Sequence, residues 1–274
     1  MLEIFQYQFM QKAFLAGTFV AIVAPLVGLF LIVRRYSGLA DTISHVSLVG
    51  VATSLVMGLN PIGLSVIFSV IATVFIDKLK ASKKVLGESA LAIFTYASLG
   101  LVSIIIATSK GFGVNLTSFL FGSVLTITEE NLYWIITLCV VVLLALIIFY
   151  KKFFVVSFDP ELAKIDGVKV SLWSFVLMTL TCLVISSGIQ VVGGLLIGAM
   201  MIIPATTSLQ YKLSFKGSLI LASVFSVVSL WLGLFVSFYY NLPSGGAIVL
   251  VNMVFFVVGL VVNRVRVKGF VSLD

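Results

Sequence analysis

The chain has few charged and few chemically reactive side chains. Only 10% of its 274 residues are charged, and it contains one histidine, two cysteines and five prolines. Cys139 and Cys182 both lie inside apolar runs, so no disulfide framework is expected and each thiol is interpreted as a small buried hydrophobe. The chain also lacks a Gly-Lys dipeptide, which excludes a P-loop. If ATP drives this protein, a separate chain must bind the nucleotide.

Most of the remaining sequence is apolar. Hydrophobic residues make up 61% of the chain, and the mean hydropathy of +1.26 is far above that of soluble proteins. The apolar runs are continuous, which favours membrane-spanning helices over alternating strands. We therefore predict an all-α, polytopic transmembrane bundle that forms one domain over residues 1–274. It has about nine spans, with eight as the alternative, near 13–33, 40–58, 61–77, 89–109, 131–149, 171–187, 191–208, 217–239 and 246–263.

The distribution of positive charge predicts the orientation. Fifteen of the seventeen Lys and Arg residues fall in alternate connections between these spans, and only Lys12 and Lys110 fall elsewhere. Positively charged loops face the cytoplasm, so the N-terminus is expected outside and the C-terminus in the cytoplasm. The net charge of +7 is thereby explained without nucleic-acid binding. Because Met1–Lys12 has no basic region, the first helix is interpreted as a retained span of a multi-pass membrane protein and not as a signal peptide.

The only histidine, His45, lies four residues after Asp41 near the start of the second predicted span. On a helix this spacing puts both side chains on one face, one turn apart. A carboxylate and an imidazole so placed can bind one divalent metal ion, although an N-cap aspartate and a packed histidine would give the same pattern. Ionisable groups in membrane segments are costly and usually functional, which favours the metal site.

The predicted cytoplasmic connection 157–170 has the pattern of a short capped helix. Asp159 suits the N-cap, Pro160 the first helical position and Gly167 the C-terminal stop. A loop that merely connects two spans needs no such helix, so we interpret it as a docking surface for a cytoplasmic partner. Its candidate coupling residues are Asp159, Pro160, Glu161, Leu162, Ile165, Asp166 and Gly167.

Two other segments carry weaker signals. Gly194 and Gly198 form a pair of small residues four apart, which permits close helix packing near a transport path, with a direct gating role as the alternative. Pro204 is expected to weaken or kink the same helix. The longest predicted outer loop, 110–131, contains an apolar piece at Leu116–Leu125 that is too short to span a membrane. Glu129 and Glu130 follow it, and solvated loop charges explain them better than a docking site for a delivery protein does.

Several of these stretches together resemble one family. Arg34-Arg35 followed by Asp41-Thr-Ile-Ser-His45 is similar to the signature of the metal-type ABC permeases, the membrane subunits of bacterial zinc and manganese importers. Phe158–Gly167 resembles that family's ATPase-facing segment. Val191–Ala205 and Leu242–Leu250 resemble two further motifs of the family. The four stretches occur in family order, and the resemblance as a whole extends over nearly the whole chain.

The resemblance implies the function and the partners. The chain would be a multi-pass permease of the bacterial plasma membrane without enzymatic activity. It would work as a homodimer in membrane lipid with a separate ATPase subunit and an extracytoplasmic metal-binding protein. Asp41 and His45 would pass the transported ion, and no permanently bound cofactor is expected. The motif details favour zinc, with manganese or iron as the alternative cargo. Two different functions compete with metal import, namely ion-coupled secondary transport and ATP-driven uptake of siderophores or cobalamin.

Overall fold

A computed structural model of the chain describes residues 2–81, 85, 87–108, 118–123 and 127–271. Lys83, Lys84, Lys110 and four residues of the predicted outer-loop piece (116, 117, 124 and 125) lie outside these ranges. A 3-10 helix at Leu2–Gln6 leads into the first long helix. The helices of the N-terminal half are α1 (Gln8–Val33), α2 (Ser37–Met57), α3 (Pro61–Ala81), α4 (Gly87–Thr108) and α5 (Glu129–Ile148), with a further helical turn at residues 118–121. The helices of the C-terminal half are α6 (Tyr150–Phe158), α7 (Pro160–Ile165), α8 (Val170–Gly188), α9 (Ile197–Leu209), α10 (Phe215–Tyr240) and α11 (Ser244–Val271).

Eight helices in the described part of the chain are long and apolar enough to cross a membrane, namely α1 to α5, α8, α10 and α11. The expected all-α, polytopic fold is thus confirmed. The helices α1 and α2 are the most buried of the eight, and the other helices pack around them. The functional candidates Asp41 and His45 therefore lie on one of the two central helices.

The two ends of the bundle differ in charge. At one end, Arg34 donates a hydrogen bond to Ser174, and the ammonium of Lys80 lies 4.2 Å from the ring centre of Tyr36. The same end carries Lys152 and Lys216, each also placed over an aromatic ring. The opposite end has an ion pair between Lys12 and Glu129 and a hydrogen bond from Asn60 to Glu130. The charge pattern thus divides the molecule into a basic end and an opposite end, and the assignment of the basic end to the cytoplasm stays a prediction.

The predicted span 191–208 differs from expectation. After α8 ends at Gly188, residues 189–196 form turns that lie inside the protein, and α9 then begins at Ile197 and has only 13 residues. Gly193 explains the interruption, since its φ of 98° excludes the helical conformation and a Cβ carbon there would collide with the backbone of Gly122. This predicted span is therefore a short helix preceded by irregular backbone. The other eight predicted spans correspond to the eight long helices.

The irregular segment 189–196 obtains backbone partners from residues 118–123. The amides of Gly194 and Leu195 donate to the carbonyl oxygens of Phe119 and Leu120 at 2.7 and 3.1 Å, and Ser123 donates to Gln190 at 3.3 Å. Irregular backbone is tolerated within a membrane protein only where other protein groups satisfy its hydrogen bonds. The described part of the predicted outer-loop piece therefore packs against the interruption, and Phe119 is buried there.

Candidate metal path

The turn between α1 and α2 fixes where the candidate ligands lie. Arg35 adopts a left-handed conformation with φ of 57°, its amide donates to the carbonyl of Ile32, and the amide of Tyr36 donates to that of Leu31. These two bonds form a Schellman motif that ends α1. The helix α2 then begins at Ser37, three residues earlier than the sequence predicts, which places His45 about 12 Å along the helix axis from its start. The ligand pair thus lies deeper in the bundle than expected.

Arg34 ties this turn to α8. Its guanidinium donates to the hydroxyl of Ser174 at 2.6 Å and lies 5.3 Å from the ring centre of Tyr36. Burial lowers the pKa of Arg34 below its ordinary value, and interactions with Tyr36 and Asp77 partly oppose this shift. Arg34 is therefore a partly buried cation whose contacts hold α1, α2 and α8 together at the basic end.

Asp41 and His45 face each other on α2, as the spacing predicts. His45 Nε2 and Asp41 Oδ1 are 3.8 Å apart, which is too long for a hydrogen bond. A single metal ion with ligand bonds of about 2.0–2.2 Å can bridge such a gap after small side-chain shifts. The Asp41 side chain is 65% exposed, whereas that of His45 is 13% exposed. His45 Nδ1 is buried and has no hydrogen-bond partner among the described residues, so it is also available for coordination.

The glycines predicted to allow close packing lie against the same face of α2. A Cβ carbon at Gly198 would be 3.6 Å from the backbone nitrogen of Asp41, and one at Gly194 would be 2.6 Å from Leu48 Cδ2. Asp41, His45 and Leu48 are spaced i, i+4, i+7 and therefore share a face. The two glycines do not sit on one helix as expected, because Gly194 precedes α9 and Gly198 lies in its first turn. Pro204 is buried within α9, and the interruption comes before it.

The other faces of α2 make polar contacts that the sequence did not reveal. The hydroxyls of Thr95 and Thr42 are 3.0 Å apart, which links α2 to α4, and the hydroxyls of Ser47 and Ser186 are 3.4 Å apart, which links α2 to α8. The polar residues of α2 give it the lowest mean hydropathy of the eight long helices, although it is the most buried of them. Polar groups collected inside a membrane bundle usually mark a transport path.

A hydrophobic cluster closes the face of α2 beyond His45. We call it the outer cluster; it consists of Leu48, Val49, Val51, Ala52, Val102, Phe119 and Ile189. Leu195 and Leu120 pack against it from the irregular segment and its partner. Along α2, the residues of the outer cluster thus lie between His45 and the end of the bundle opposite the basic end.

The predicted docking segment forms a capped helix, α7. Asp159 Oδ1 accepts hydrogen bonds from the amides of Glu161 and Leu162, and Pro160 occupies the first turn. The helix ends in a second Schellman motif with Gly167 at φ of 75°. Leu162 and Ile165 are 48% and 81% exposed, which is unusual for apolar residues on a short polar helix. The caps predicted from the sequence are confirmed, and the exposed apolar pair is available to a partner.

The described part of the chain contains no metal site with three or more protein ligands of the usual kinds. Among its residues, no group of three or more His, Cys, Asp or Glu side chains is close enough to share an ion. The thiols of Cys139 and Cys182 lie beside the hydroxyls of Ser187 and Thr73. The candidate ligands thus remain the pair Asp41 and His45, which supplies only part of a coordination shell.

Comparison with known proteins decides the family. Residues 6–263 match the ABC 3 transport family. The chain belongs to this family. Its membership confirms the resemblance seen in the motifs: the chain is a permease subunit of an ABC transporter in the bacterial plasma membrane, and ATP hydrolysis belongs to a separate subunit.

Relatives of this ABC 3 permease match it over almost their whole length. The manganese transport system membrane protein MntC of Listeria monocytogenes is 36% identical over 92% of the chain and 89% of its own length. The manganese import system permease protein ScaB of Streptococcus parasanguinis is 34% identical over 92% of the chain and 90% of its own length. Among solved structures, PsaBC from Streptococcus pneumoniae in complex with a Fab matches at a TM-score of 0.86 and 34% identity, covering 94% of this chain and 92% of that one.

Proposed function

We propose that this permease imports manganese, which binds transiently to Asp41 and His45 during transport. The pair itself carries the proposal: one carboxylate and one imidazole lie 3.8 Å apart on a central helix. Carboxylate, carbonyl and water oxygens suit manganese, whereas zinc prefers tetrahedral sites rich in nitrogen and sulfur. The relatives named above are described as manganese systems, which supports the same cargo. Zinc, which the sequence motifs favoured, gains no such support.

Two copies of the chain are proposed to enclose the path. Asp41 is 65% exposed in a single copy, although it lies on a membrane-spanning helix. A carboxylate facing lipid is costly, so its exposed face must meet an aqueous cavity or another protein surface. Twofold pairing is the commonest way to supply an opposing wall. A second copy would bring a second Asp41 and His45, and water would complete the coordination of the ion.

The outer cluster is the proposed outer gate of this path. It lies between the ligand pair and the end of the bundle that we assign to the outside. The irregular segment 189–196 is not part of a continuous helix, and its amides at Gly194 and Leu195 bond to Phe119 and Leu120, so it would shift together with residues 118–123. Movement of this segment away from Leu48 would open the pair to an ion delivered by the extracytoplasmic binding protein. Glu129 and Glu130, at the same end of the bundle, are candidates for contacts with that protein.

The helix α7 is the proposed docking element for the ATPase subunit. Its exposed Leu162 and Ile165 would enter a cleft on the ATPase, and the acidic residues Asp159, Glu161 and Asp166 would face basic groups there. The preceding Phe158 packs against Phe215 at the start of α10, with ring centres 5.3 Å apart. A shift of α7 would therefore be transmitted to α10.

Metal accumulation in cells tests the cargo. The permease is expressed with its ATPase and binding protein in a bacterial strain that lacks its own manganese and zinc importers. We expect manganese to accumulate and to restore growth in manganese-limited medium, with little restoration in zinc-limited medium. Restoration by zinc alone would overturn the proposal for manganese. An ATPase variant that cannot hydrolyse ATP is the control for background uptake.

A further inference from the structure

A long groove lies on the surface of the bundle between α1, α5 and α10. It consists of two adjoining parts with volumes of about 400 and 420 Å³. The two parts share Leu26, Leu219 and Ile220 in their linings, so they form one continuous groove. Along α10 it runs from Lys216 to Val228. None of the residues proposed to bind the cargo lines it.

The groove is apolar along its length and charged at one end. Its polar lining residues are Lys216, Tyr150 and Ser223. Ser223 uses its hydroxyl to donate a hydrogen bond to the carbonyl oxygen of Ile22 at 2.9 Å, so it presents no free donor to a ligand. Lys216 and Tyr150 lie together at the basic end, with the ammonium 5.5 Å from the centre of the tyrosine ring. The groove thus combines one cationic end with an apolar remainder.

The length of the groove fits half of a bilayer. Twelve residues of α10 separate Lys216 from Val228, which corresponds to about 18 Å along a helix. The hydrocarbon core of a bilayer is about 30 Å thick, so one leaflet contributes about 15 Å. Because Lys216 lies at the first turn of α10, the charged end is near the membrane surface and the apolar end points toward the membrane centre.

We propose that this groove binds one anionic phospholipid from the leaflet at the basic end of the bundle. Its phosphate lies at Lys216 and the Tyr150 hydroxyl, and one acyl chain lies along Leu219, Ile220 and Val228. A basic pocket between membrane helices is a known type of site for acidic lipid headgroups. A free phosphate would not fill the apolar length of the groove, so the ligand is the lipid. The site joins α10, which starts beside Phe158, to α1 and α5.

Native mass spectrometry of the purified, delipidated permease tests this site. The protein is titrated with phosphatidylglycerol and, separately, with phosphatidylcholine of the same chain length. We expect one phosphatidylglycerol molecule to bind about fivefold more tightly than phosphatidylcholine, the preference expected for one lysine near an anionic headgroup. Lys216→Glu should abolish this preference, and Lys216→Gln should reduce it. Lys169→Glu, an equal charge change at the same end but outside the groove, should leave it intact.

A variant in the apolar part of the groove tests whether the lipid also needs the groove itself. Ile220→Trp fills the apolar part while Lys216 remains, and it should remove the tightly bound lipid. Equal affinity for both lipids in the wild type, or an equal effect of Lys169→Glu and Lys216→Glu, would overturn the proposal. A cysteine variant, Ile220→Cys, tests whether a second copy of this chain occupies the groove instead of a lipid. Efficient disulfide cross-linking between two copies at this position would show that the groove is a protein interface and overturn lipid binding. These measurements do not depend on which ion is transported.

Discussion

Gly194 lies directly against Leu48. A Cβ carbon at Gly194 would be 2.6 Å from Leu48 Cδ2, so only a glycine fits there without displacing the leucine. Leu48 follows His45 by one turn on the same face of α2. Gly194 also donates its amide to Phe119 at 2.7 Å, which joins it to residues 118–123. The irregular segment, the outer cluster and the ligand helix are thereby packed into one unit.

The first prediction concerns this close approach. In Gly194→Leu combined with Gly198→Leu, the new side chains would meet Leu48 and the backbone of Asp41, so the segment 189–198 must move away from α2. We expect the loss of most transport while the protein still reaches the membrane. ATP-dependent metal uptake in membrane vesicles measures the effect.

Two matched variants control for the substitution itself. Gly100→Leu places the same side chain on α4, where a Cβ carbon meets no atom within 4 Å, and it should leave uptake unchanged. Gly198→Ala adds only an ordinary contact at 3.6 Å and should be tolerated. Normal uptake by the double leucine variant would show that close packing at this point is not required.

The second prediction concerns α7. Leu162→Asp places a charge in the proposed apolar contact with the ATPase and should prevent its co-purification with the permease. Glu161→Ala removes only an exposed charge, whose ion pair would contribute about 0–1 kcal/mol, and should retain the ATPase. Full retention of the ATPase by Leu162→Asp would place the docking surface elsewhere.

The third prediction concerns the link between Arg34 and Ser174. Ser174→Ala removes the acceptor of a charged hydrogen bond in a partly buried site and should destabilise the protein by about 1.5–3 kcal/mol. The midpoint of thermal unfolding in detergent should fall accordingly. Ser171→Ala, an exposed position on the same helix, serves as the control and should leave the midpoint unchanged. If the two variants unfold at the same temperature, the Arg34 contact does not stabilise the fold.

The fourth prediction concerns the number of copies. If Asp41 faces an opposing wall made by a second chain, the detergent-purified complex with the ATPase must contain two permeases. Its mass, determined by light scattering with correction for bound detergent, should correspond to two copies of this 29.6 kDa chain plus two ATPase subunits. An active complex with a single permease would exclude the twofold path.

The features predictable from the sequence are those with local patterns. The spacing of Asp41 and His45 placed them on one helix face, and the caps of α7 followed from Asp159, Pro160 and Gly167. The interruption at 189–196 could not be predicted from the sequence, because the segment is as apolar as a membrane span. Its irregular backbone depends on hydrogen-bond partners about 70 residues earlier in the chain.

Contacts between residues far apart in the sequence were equally impossible to predict. Ser47 and Ser186 are separated by 139 residues, and neither differs in sequence context from a serine that simply permits close helix packing. The same holds for Thr42 and Thr95, whose hydroxyls meet only because α2 packs on α4. The polar character of the path around α2 therefore emerges from packing and not from a motif.

The most direct test of the central claim is manganese uptake into liposomes that contain the purified permease and its ATPase, with ATP on the ATPase side of the membrane and the loaded binding protein on the opposite side. The wild type and Thr53→Ala, a conservative change two turns beyond His45 on α2, should transport manganese in an ATP-dependent manner. Asp41→Ala and His45→Ala should each abolish transport while the complex remains assembled, because each removes one of the two ligands. Undiminished manganese transport by either variant would contradict the account.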